Sequence, residues 1–270
     1  MTKSDSPFPV KAVILDWAGT VIDFGCMAPV EALIDVFAAE GIAITAAEAR
    51  ADMGRAKLDH LRAILAEPGV AARWLNAKGR ASGEDDVAQL YARLEPAMEA
   101  AATRAAQLIP GAAATVAELR KLGVRIGSGT GYTRQMMRGI EPAAAARGYA
   151  PDVVICAGET PSGRPAPHMS WAAMIVMDVW PARACIKIDD APVGIAEGRN
   201  AGCWTVGLSG SGNEVGLDLA SYRALGDAER RAVLKQAEAR LKAAGADYVI
   251  EDISELLPVV HAIARRIAEA

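Results

Sequence analysis

Acidic residues follow two of the short apolar runs in this sequence. Asp16 comes directly after the run Ala12–Leu15, and the pair Asp189-Asp190 comes after a run that ends at Ile188. Carboxylate oxygens suit Mg²⁺, which usually keeps only a few protein ligands beside the phosphate group of a substrate. These residue types therefore favour magnesium-assisted chemistry, provided that the fold brings the two places together.

A hydroxyl group and a cation accompany these acids. Thr130 follows the apolar run Val124–Ser128, and Arg164 lies in a loop after the run that ends at Cys156. A guanidinium group offers a forked pair of donors that matches phosphoryl oxygens. Thr130 and Arg164 are therefore candidate ligands for an anionic substrate.

Each of these residues also has a structural interpretation. Asp16 could cap a turn and Asp189-Asp190 could cap a helix, because aspartate is common at both places. Thr130 could be an ordinary loop residue, and Arg164 a solvated one. We favour one shared site because all of them follow predicted strands.

Apolar runs separated by helical segments predict a parallel β-sheet with helices on both faces. In such a sheet, ligands bind beyond the carboxyl ends of the strands, where the candidate residues fall. The predicted strands are Lys11–Trp17, Val124–Ser128, Asp152–Cys156, Ala184–Ile188, Trp204–Leu208 and Tyr248–Ile250. From residue 112 onward, helices alternate with these strands. The helices predicted there are Ala112–Leu122, Thr133–Arg147, Met169–Met177, Val193–Ala201, Glu229–Ala244 and Ile253–Ala268.

Between the first and second predicted strands, the sequence has helical periodicity and no strand signal. The helices predicted there are Val30–Glu40, Ala46–Ala51, Ala56–Glu67, Ala71–Lys78 and Asp85–Ala105. We therefore predict an α/β core made of residues 1–24 and 104–270, with an all-helical domain, residues 25–103, inserted into it.

Composition narrows the classes of partner. The chain has 270 residues, 52% of them hydrophobic, a net charge of −4 and no basic run, so nucleic acid is not expected as a partner. The four cysteines lack metal-ligand spacing, which is typical of free thiols in a reducing compartment. Residues 1–9 lack an apolar signal core, and no apolar stretch is long enough to span a bilayer. We therefore expect a cytoplasmic protein with no membrane segment.

The order of the candidate motifs resembles that of the haloacid dehalogenase superfamily. The motifs are Asp16-Trp17-Ala18-Gly19-Thr20, then Thr130, Arg164 and Asp189-Asp190. The resemblance implies a Rossmann-like parallel-sheet core with a helical cap and Asp16 as the nucleophile. It also implies Mg²⁺ held by Asp16, the backbone carbonyl of Ala18, and Asp190. Some members carry a further acid where this chain has Gly194; Asp189, nearby or acting through water, can supply that carboxylate, and the sequence leaves open whether it does.

Ala18 departs from the phosphatases of that superfamily, which usually have a second aspartate there. A methyl group can neither give nor take a proton, so the hydrolysis of a phosphate ester would lack its general acid. A phosphatase or phosphomutase acting on a small phosphate ester remains the alternative enzyme. A degenerate member that only binds or regulates is a further alternative.

Further segments resemble one family of the superfamily, the phosphonoacetaldehyde hydrolases. They are Gly25-Cys26, Ala28-Pro29, Met53-Gly54, Lys57-Leu58-Asp59-His60, Gly131-Tyr132-Thr133-Arg134, Gly163-Arg164-Pro165 and Glu197 to Gly207. This resemblance implies that the carbon–phosphorus bond of phosphonoacetaldehyde is hydrolysed to acetaldehyde and phosphate. It also implies a homodimer formed through cap helices.

The same resemblance implies that Lys57 forms a Schiff base with the aldehyde, so that electrons from the broken carbon–phosphorus bond can leave as an enamine. Lys57 shares a helix face with His60, Leu61, Ile64 and Leu65, so it lies on the apolar stripe. Burial there would lower its pKa and supply a neutral amine. Periodicity alone leaves open a lysine whose stem is buried and whose amine reaches water.

The remaining implied substrate contacts are Cys26, Met53, His60 and Tyr132, beside Thr130 and Arg164. Each has an alternative interpretation: Cys26 and Met53 as packing residues, His60 as a structural histidine and Tyr132 as a half-buried aromatic. Local sequence does not decide among these interpretations.

Overall fold

Six parallel strands form a single sheet in the computed structural model, which describes residues 8–269. Residues 1–7, which carry most of the segment predicted to lack a signal core, lie outside the described part. The strand order is β3-β2-β1-β4-β5-β6. The strands are β1 (Ala12–Leu15), β2 (Arg125–Thr130), β3 (Val153–Cys156), β4 (Cys185–Asp189), β5 (Trp204–Leu208) and β6 (Tyr248–Ile250).

Twelve α-helices accompany the sheet in the described residues; six of them lie in sequence between β1 and β2, the first five in the inserted segment. These five are α1 (Met27–Ala39), α2 (Ala46–Arg50), α3 (Lys57–Ala66), α4 (Pro68–Lys78) and α5 (Glu84–Arg104). The others are α6 (Ala112–Lys121), α7 (Arg134–Ala145), α8 (His168–Val176), α9 (Pro192–Ala201), α10 (Leu219–Ala224), α11 (Asp227–Ala244) and α12 (Leu256–Ala268).

β1 lies in the middle of the sheet and is buried on both faces, which explains its unbroken apolar sequence. Its side chains alternate between two apolar cores. Val13 and Leu15 pack in one core and Ala12 and Ile14 in the other. The predicted α/β fold with an inserted helical segment is confirmed, and the exact division into core and cap stays a proposal.

The inserted helices enclose their own apolar interior. Leu33 and Phe37 of α1, Leu61 of α3, and Leu90 and Leu94 of α5 are almost completely buried. α5 also packs against α7 of the core, so the insert rests on the sheet domain. None of the helices in the described residues is both long and apolar enough to cross a membrane.

Two helix starts differ from the sequence-based prediction for local reasons. α1 begins at Met27, three residues early, because the Asp23 carboxylate accepts the backbone N–H groups of Met27 and Ala28 at 3.1 Å each. α4 begins at Pro68, three residues before the predicted start at Ala71. Proline fits the first turn of a helix because its missing N–H would have no partner there.

β2 and α10 also differ from prediction. β2 continues through Gly129 to Thr130, two residues beyond the predicted end, because Thr130 pairs with Cys156 of β3. α10 was missed: it is only six residues long, and its start depends on the Asp218 side chain, which accepts two backbone N–H groups. Thr130 therefore ends a strand instead of lying in a loop.

Candidate active site

The register of the sheet aligns the ends of the strands that carry the acidic residues. Leu15 of β1 pairs with Ser128 of β2 on one side and with Ile188 of β4 on the other. Asp16 therefore lies level with Asp189, as expected for one sheet edge. Ligand oxygens of Asp16, Asp189 and Asp190 lie within 4.8 Å of one another, and all three residues are buried.

Burial raises the pKa values of two of the three carboxylates, whereas Arg164 and Lys187 hold the pKa of Asp189 below its ordinary value despite its burial. Burial raises the pKa of Asp190 to about 8, and the charges of Asp16 and Asp189 add to this. Burial also raises the pKa of Asp16 to about 6, although Arg164 opposes it. A divalent cation between these oxygens would favour their ionised forms. The donor set fits a hard cation such as Mg²⁺, and Ala18 lines the same cavity.

The two adjacent aspartates have different partners. Asp189 accepts hydrogen bonds from Lys187 Nζ at 2.7 Å and from the Ala191 N–H at 3.1 Å. Asp190 accepts from the Asn213 N–H at 2.8 Å and more weakly from the Cys26 thiol at 3.3 Å. Because Lys187 already neutralises Asp189, Asp190 is the better placed of the two to serve a metal ion.

Gly194 lies where some family members carry a further acid, and its lack of a side chain has a structural consequence. A Cβ atom at Gly194 would overlap the Asp189 carboxylate. Asp189 therefore occupies the space that a side chain at position 194 would require, and its role as a replacement for the missing acid stays a prediction.

Arg164 lies at the centre of the charged cluster, with its side chain 1% exposed. Its Nη2 donates to Asp16 Oδ1 at 2.7 Å and to the Gly129 carbonyl at 2.8 Å, and its Nε donates to Glu197 at 2.9 Å. Burial lowers the pKa of Arg164, but Asp189, Asp16 and Glu197 outweigh it and raise that pKa well above its ordinary value. Arg164 therefore stays protonated beside the proposed nucleophile.

The sequence analysis did not predict the buried residues that form hydrogen bonds and ion pairs with Arg164 and Asp189. Glu197 is fully buried and accepts hydrogen bonds from Arg164 and, at 2.6 Å, from the Ser170 hydroxyl. Lys187 is also fully buried, 2.7 Å from Asp189 and 3.7 Å from Glu197. A lysine between two isoleucines of a buried strand, two residues before an aspartate on the same face, is the signal that could have revealed it.

Lys57 projects from the first turn of α3 into the interior and is 3% exposed. Burial lowers the pKa of its amine from 10.5 to about 8. The Nζ atom lies 3.8 Å from Met53 Sδ and 5.5 Å from the centre of the Tyr132 ring. Of the two interpretations of its helical position, the structure therefore has the buried amine, not a solvated one.

One small cavity is shared by nearly all the residues singled out in the sequence. It leaves a free volume of only ≈ 20 Å³, room for about one water molecule, so the site is closed in this structure. A substrate can enter only if the cap or its loops move. The residues that line the cavity are Asp16, Ala18, Cys26, Pro29, Met53, Gly54, Lys57, Thr130, Gly131, Tyr132, Arg164, Asp189, Asp190 and Ala191.

His60 is the predicted substrate contact that does not line this cavity. It is fully buried behind Lys57 on α3, and burial together with Lys57 lowers its pKa to about 3, so the ring is neutral. Backbone groups of Ala51 and Ala49 beside the ring oppose this lowering only in part. Direct contact between His60 and a substrate in this cavity is therefore not supported, because Lys57 stands nearer to the reacting groups.

Cys26 and Tyr132 line the cavity in protonated form. Burial raises the pKa of the Cys26 thiol well above its ordinary value, with Asp190 the next contributor, and burial likewise raises the pKa of Tyr132. The Tyr132 hydroxyl is buried without a hydrogen-bond partner. Buried donors of this kind usually have a partner, so the Tyr132 hydroxyl is available to a bound molecule.

Two glycines let the cap and core approach closely at the cavity. A Cβ atom at Gly131, just after β2, would lie 2.8 Å from the Arg55 carbonyl and 3.0 Å from the Gly54 carbonyl. Gly54 itself has φ +92° and faces Val193 of the core. The α2–α3 loop therefore seals the site over the strand ends, and a side chain at either glycine would hold it open.

Comparison with known proteins identifies the family of this chain. Residues 10–202 match the family model for haloacid dehalogenase-like hydrolases. A phosphonoacetaldehyde hydrolase of Paraburkholderia phytofirmans is 45% identical over 96% of this chain and 97% of that protein. One from Syntrophobacter fumaroxidans is 44% identical over 94% of this chain and 92% of its own length.

A solved structure is similar over the whole chain. The crystal structure of a phosphonoacetaldehyde hydrolase-like protein from Oleispira antarctica superposes with a TM-score of 0.96 at 42% identity, covering 100% of this chain and 99% of the other. Sheet order, inserted helices and buried charged cluster all agree with this relationship. The chain is therefore a hydrolase of the haloacid dehalogenase-like group and belongs, within it, to the phosphonoacetaldehyde hydrolase family.

Proposed function

We propose that this protein hydrolyses the carbon–phosphorus bond of phosphonoacetaldehyde and releases acetaldehyde and phosphate. The observation that carries the proposal is a buried lysine amine in the same closed cavity as a buried aspartate and an arginine. The lowered pKa of Lys57, about 8, supports its reaction with an aldehyde. The names of the similar proteins point to the same substrate.

The reaction requires an electron sink, because a carbanion is a very poor leaving group. In the proposed sequence, the Lys57 amine adds to the aldehyde carbon and water leaves, which forms an iminium ion. Asp16 then attacks phosphorus, and the electron pair of the breaking carbon–phosphorus bond moves into the iminium to form an enamine. Protonation of the enamine carbon and hydrolysis release acetaldehyde and free Lys57. Water finally cleaves the aspartyl phosphate at Asp16.

Other residues of the cavity would bind and orient the phosphonate. Arg164 is held by Asp16, Glu197 and the Gly129 carbonyl, so its direction is set before a substrate arrives. Thr130 is 2% exposed, and its Oγ1 accepts the Tyr132 N–H at 3.1 Å, which directs the hydroxyl proton elsewhere. Mg²⁺, held by Asp16, Asp190 and the Ala18 carbonyl, would neutralise charge on the phosphoryl oxygens.

A phosphatase or phosphomutase of the same superfamily is the second candidate. Ala18 argues against it, because no carboxylic acid stands two residues after Asp16 to protonate an ester oxygen. A buried amine at Lys57 would also have no role in a plain phosphatase. The loss of carbon–phosphorus cleavage on changing Lys57 separates the two candidates.

The proposal is tested by incubating the protein with phosphonoacetaldehyde and Mg²⁺ and measuring acetaldehyde and phosphate. A parallel reaction receives borohydride, and mass spectrometry of peptides locates the reduced adduct. We expect equal amounts of both products and an adduct on Lys57 alone. Folded protein that hydrolyses phosphate esters but yields neither acetaldehyde nor an adduct would establish the phosphatase instead.

The rate of adduct formation should depend on pH through Lys57. Only the neutral amine attacks the aldehyde, and burial lowers the pKa to about 8, so its neutral fraction rises as the pH rises through 8. Below this value we expect about a tenfold decrease in the trapping rate per pH unit. The check is the initial rate of borohydride-trapped adduct between about pH 6 and 9. A rate that still rises tenfold per unit through pH 9 would mean an unperturbed lysine.

We also propose a homodimer, and the exposed apolar side chains favour a core surface over the cap helices implied by the resemblance. Trp171, Ile175 and Val176 of α8 are exposed, Ile175 by 78%, and Trp180, four residues after the helix, is 79% exposed. The cap exposes fewer large apolar side chains among the described residues, with Leu75 51% exposed. An apolar patch of this kind on a globular protein is typical of an interface.

Two substitutions by arginine test whether the dimer forms through the α8 surface or through the cap. Ile175→Arg on α8 should convert the dimer to a monomer, whereas Leu75→Arg on α4 should leave it unchanged, because burying an unpaired guanidinium opposes association. Light scattering after size-exclusion chromatography measures the mass. Dissociation by Leu75→Arg alone would restore the cap interface, and a monomeric wild type would exclude both.

The thiols are consistent with a cytoplasmic location, which we also propose. All four cysteines are buried and free. Unpaired cysteines are typical of reducing compartments.

A further inference from the structure

One arginine of the cap bonds across the junction to the core loop that follows β5. Arg50, the last residue of α2, donates from Nη2 to the Gly216 carbonyl at 3.0 Å. Its Nη1 donates to the Gly25 carbonyl at 2.8 Å and to Asn213 Oδ1 at 3.3 Å. The guanidinium thereby joins α2, the chain segment before α1, and the loop of residues 209–217.

The loop is shaped to receive this side chain. Gly216 has φ +65°, a conformation that favours glycine, and a Cβ atom there would lie 2.6 Å from Arg50 Nε. A larger residue at position 216 would collide with the guanidinium. The close fit indicates a specific contact between Arg50 and the loop, not a chance approach of two surfaces.

Asn213 connects Arg50 to the acidic cluster. It is 6% exposed, and its Nδ2 returns a hydrogen bond to the Arg50 carbonyl at 3.3 Å. Its backbone N–H donates to Asp190 Oδ2 at 2.8 Å. One residue therefore stands between the cap arginine and the carboxylate proposed as a magnesium ligand.

The beginning of the loop also has contacts with the core. The Ser211 hydroxyl donates to the Gly19 carbonyl at 2.7 Å, and the Ser209 N–H donates to the Ile250 carbonyl at 2.8 Å. If the cap moves to admit a substrate, we expect the contacts of Asn213 and Gly216 with Arg50 to break and these core contacts to remain. Asn213 and Gly216 therefore mark the part of the loop that the cap holds.

We propose that Arg50 is a positioning residue that links cap closure to the metal site by holding Asn213, which in turn orients the Asp190 carboxylate. With the N–H of Asn213 on Oδ2, Oδ1 of Asp190 is left for a cation, apart from a weak contact with the Thr20 hydroxyl at 3.3 Å. This inference rests on the proposed magnesium site. Partners that orient a metal ligand typically contribute a factor of about 10 to 100 in affinity.

The test uses three variants, Arg50→Ala, Asn213→Ala and the double variant that combines these two substitutions. Arg55→Ala serves as the control. Asn213→Ala removes the side-chain link to Arg50 and keeps the backbone N–H. Arg55 and Arg50 line the same groove on the protein surface. The Arg55 side chain is 43% exposed and forms an ion pair with Asp52, so Arg55→Ala is the matched control. Circular dichroism and thermal melting first establish that each variant is folded.

Two readouts are independent of turnover: Mg²⁺ affinity of the metal-free enzyme by calorimetry, and hydrogen exchange of peptides that cover residues 209–217. We expect Arg50→Ala and Asn213→Ala each to bind Mg²⁺ about tenfold more weakly than the wild type and to exchange the amide hydrogens of this loop faster. The double variant should have the same affinity and exchange rate as either single variant. Arg55→Ala should match the wild type.

The outcomes separate this inference from the proposed function. Unchanged affinity and exchange in Arg50→Ala, or additive losses in the double variant, would overturn the link while leaving the magnesium site intact. A wild type that binds no Mg²⁺ would overturn the metal site and the coupling with it.

Discussion

Replacing Lys57 with arginine should abolish carbon–phosphorus cleavage while the protein stays folded. Arginine keeps the positive charge and much of the volume but cannot form the iminium ion, so the bond has no electron sink. We expect a decrease in kcat/KM of at least about 10³-fold, equivalent to about 4 kcal/mol of transition-state stabilisation. Acetaldehyde release measures the loss, and borohydride should trap no adduct.

Lys78 supplies the matched control for this substitution. It also lies in the cap, but its amine forms an ion pair with Glu40 at 2.7 Å and is 30% exposed. Lys78→Arg should leave turnover unchanged because arginine can form the same ion pair. If Lys57→Arg retains turnover near the wild-type rate, the Schiff-base mechanism is wrong.

Replacing Asp16 with asparagine should stop the reaction at a different step. The amide is a poor nucleophile and cannot form the aspartyl phosphate, yet Lys57 remains free to condense with the aldehyde. We expect acetaldehyde and phosphate release to fall by at least about 10³-fold. The borohydride adduct on Lys57 should persist, because it precedes the attack on phosphorus.

The two variants should differ in whether the adduct on Lys57 forms. Lys57→Arg should lose both adduct and products, whereas Asp16→Asn should keep the adduct and lose the products. Asp52→Asn in the α2–α3 loop is a suitable control, because asparagine tolerates the positive φ of 60° found there. Asp16→Asn with normal product release would show that another group attacks phosphorus.

Helical periodicity predicted the face of α3 on which Lys57 lies, but not whether its amine is buried. Spacing along α3 placed Lys57 on the apolar stripe, but a stripe residue can lie at its edge with the amine in water. Whether the amine is buried depends on the core surface that covers it, including Tyr132 from the segment after β2. That contact joins residues 75 positions apart in sequence (132 − 57), beyond any local pattern.

The missed residues share one physical property. Lys187, Glu197 and Ser170 contribute through charges and hydrogen bonds to one another, on β4, α9 and α8 respectively. A strand lysine or a helix glutamate is common by itself, so its importance emerges only when another element supplies its partner. Arg50 and Asn213 were missed for the same reason, since their contact spans the cap and the core.

Motif order and strand periodicity were sufficient to establish the family, the parallel sheet and the identity of the acidic residues, because each depends on neighbours in the chain. The resemblance implied Asp190 as the metal ligand, and the tertiary structure supplies a physical reason to prefer it to Asp189. Asp189 is neutralised by Lys187 on its own strand and approached by Arg164 at 3.4 Å, whereas Asp190 faces Asn213 and Cys26. The energy of a charge pair depends on the distance between the charges and on their burial. Whether each carboxylate is paired with a cation is therefore decided by the groups, distant in sequence, that the fold brings within a few ångströms of it.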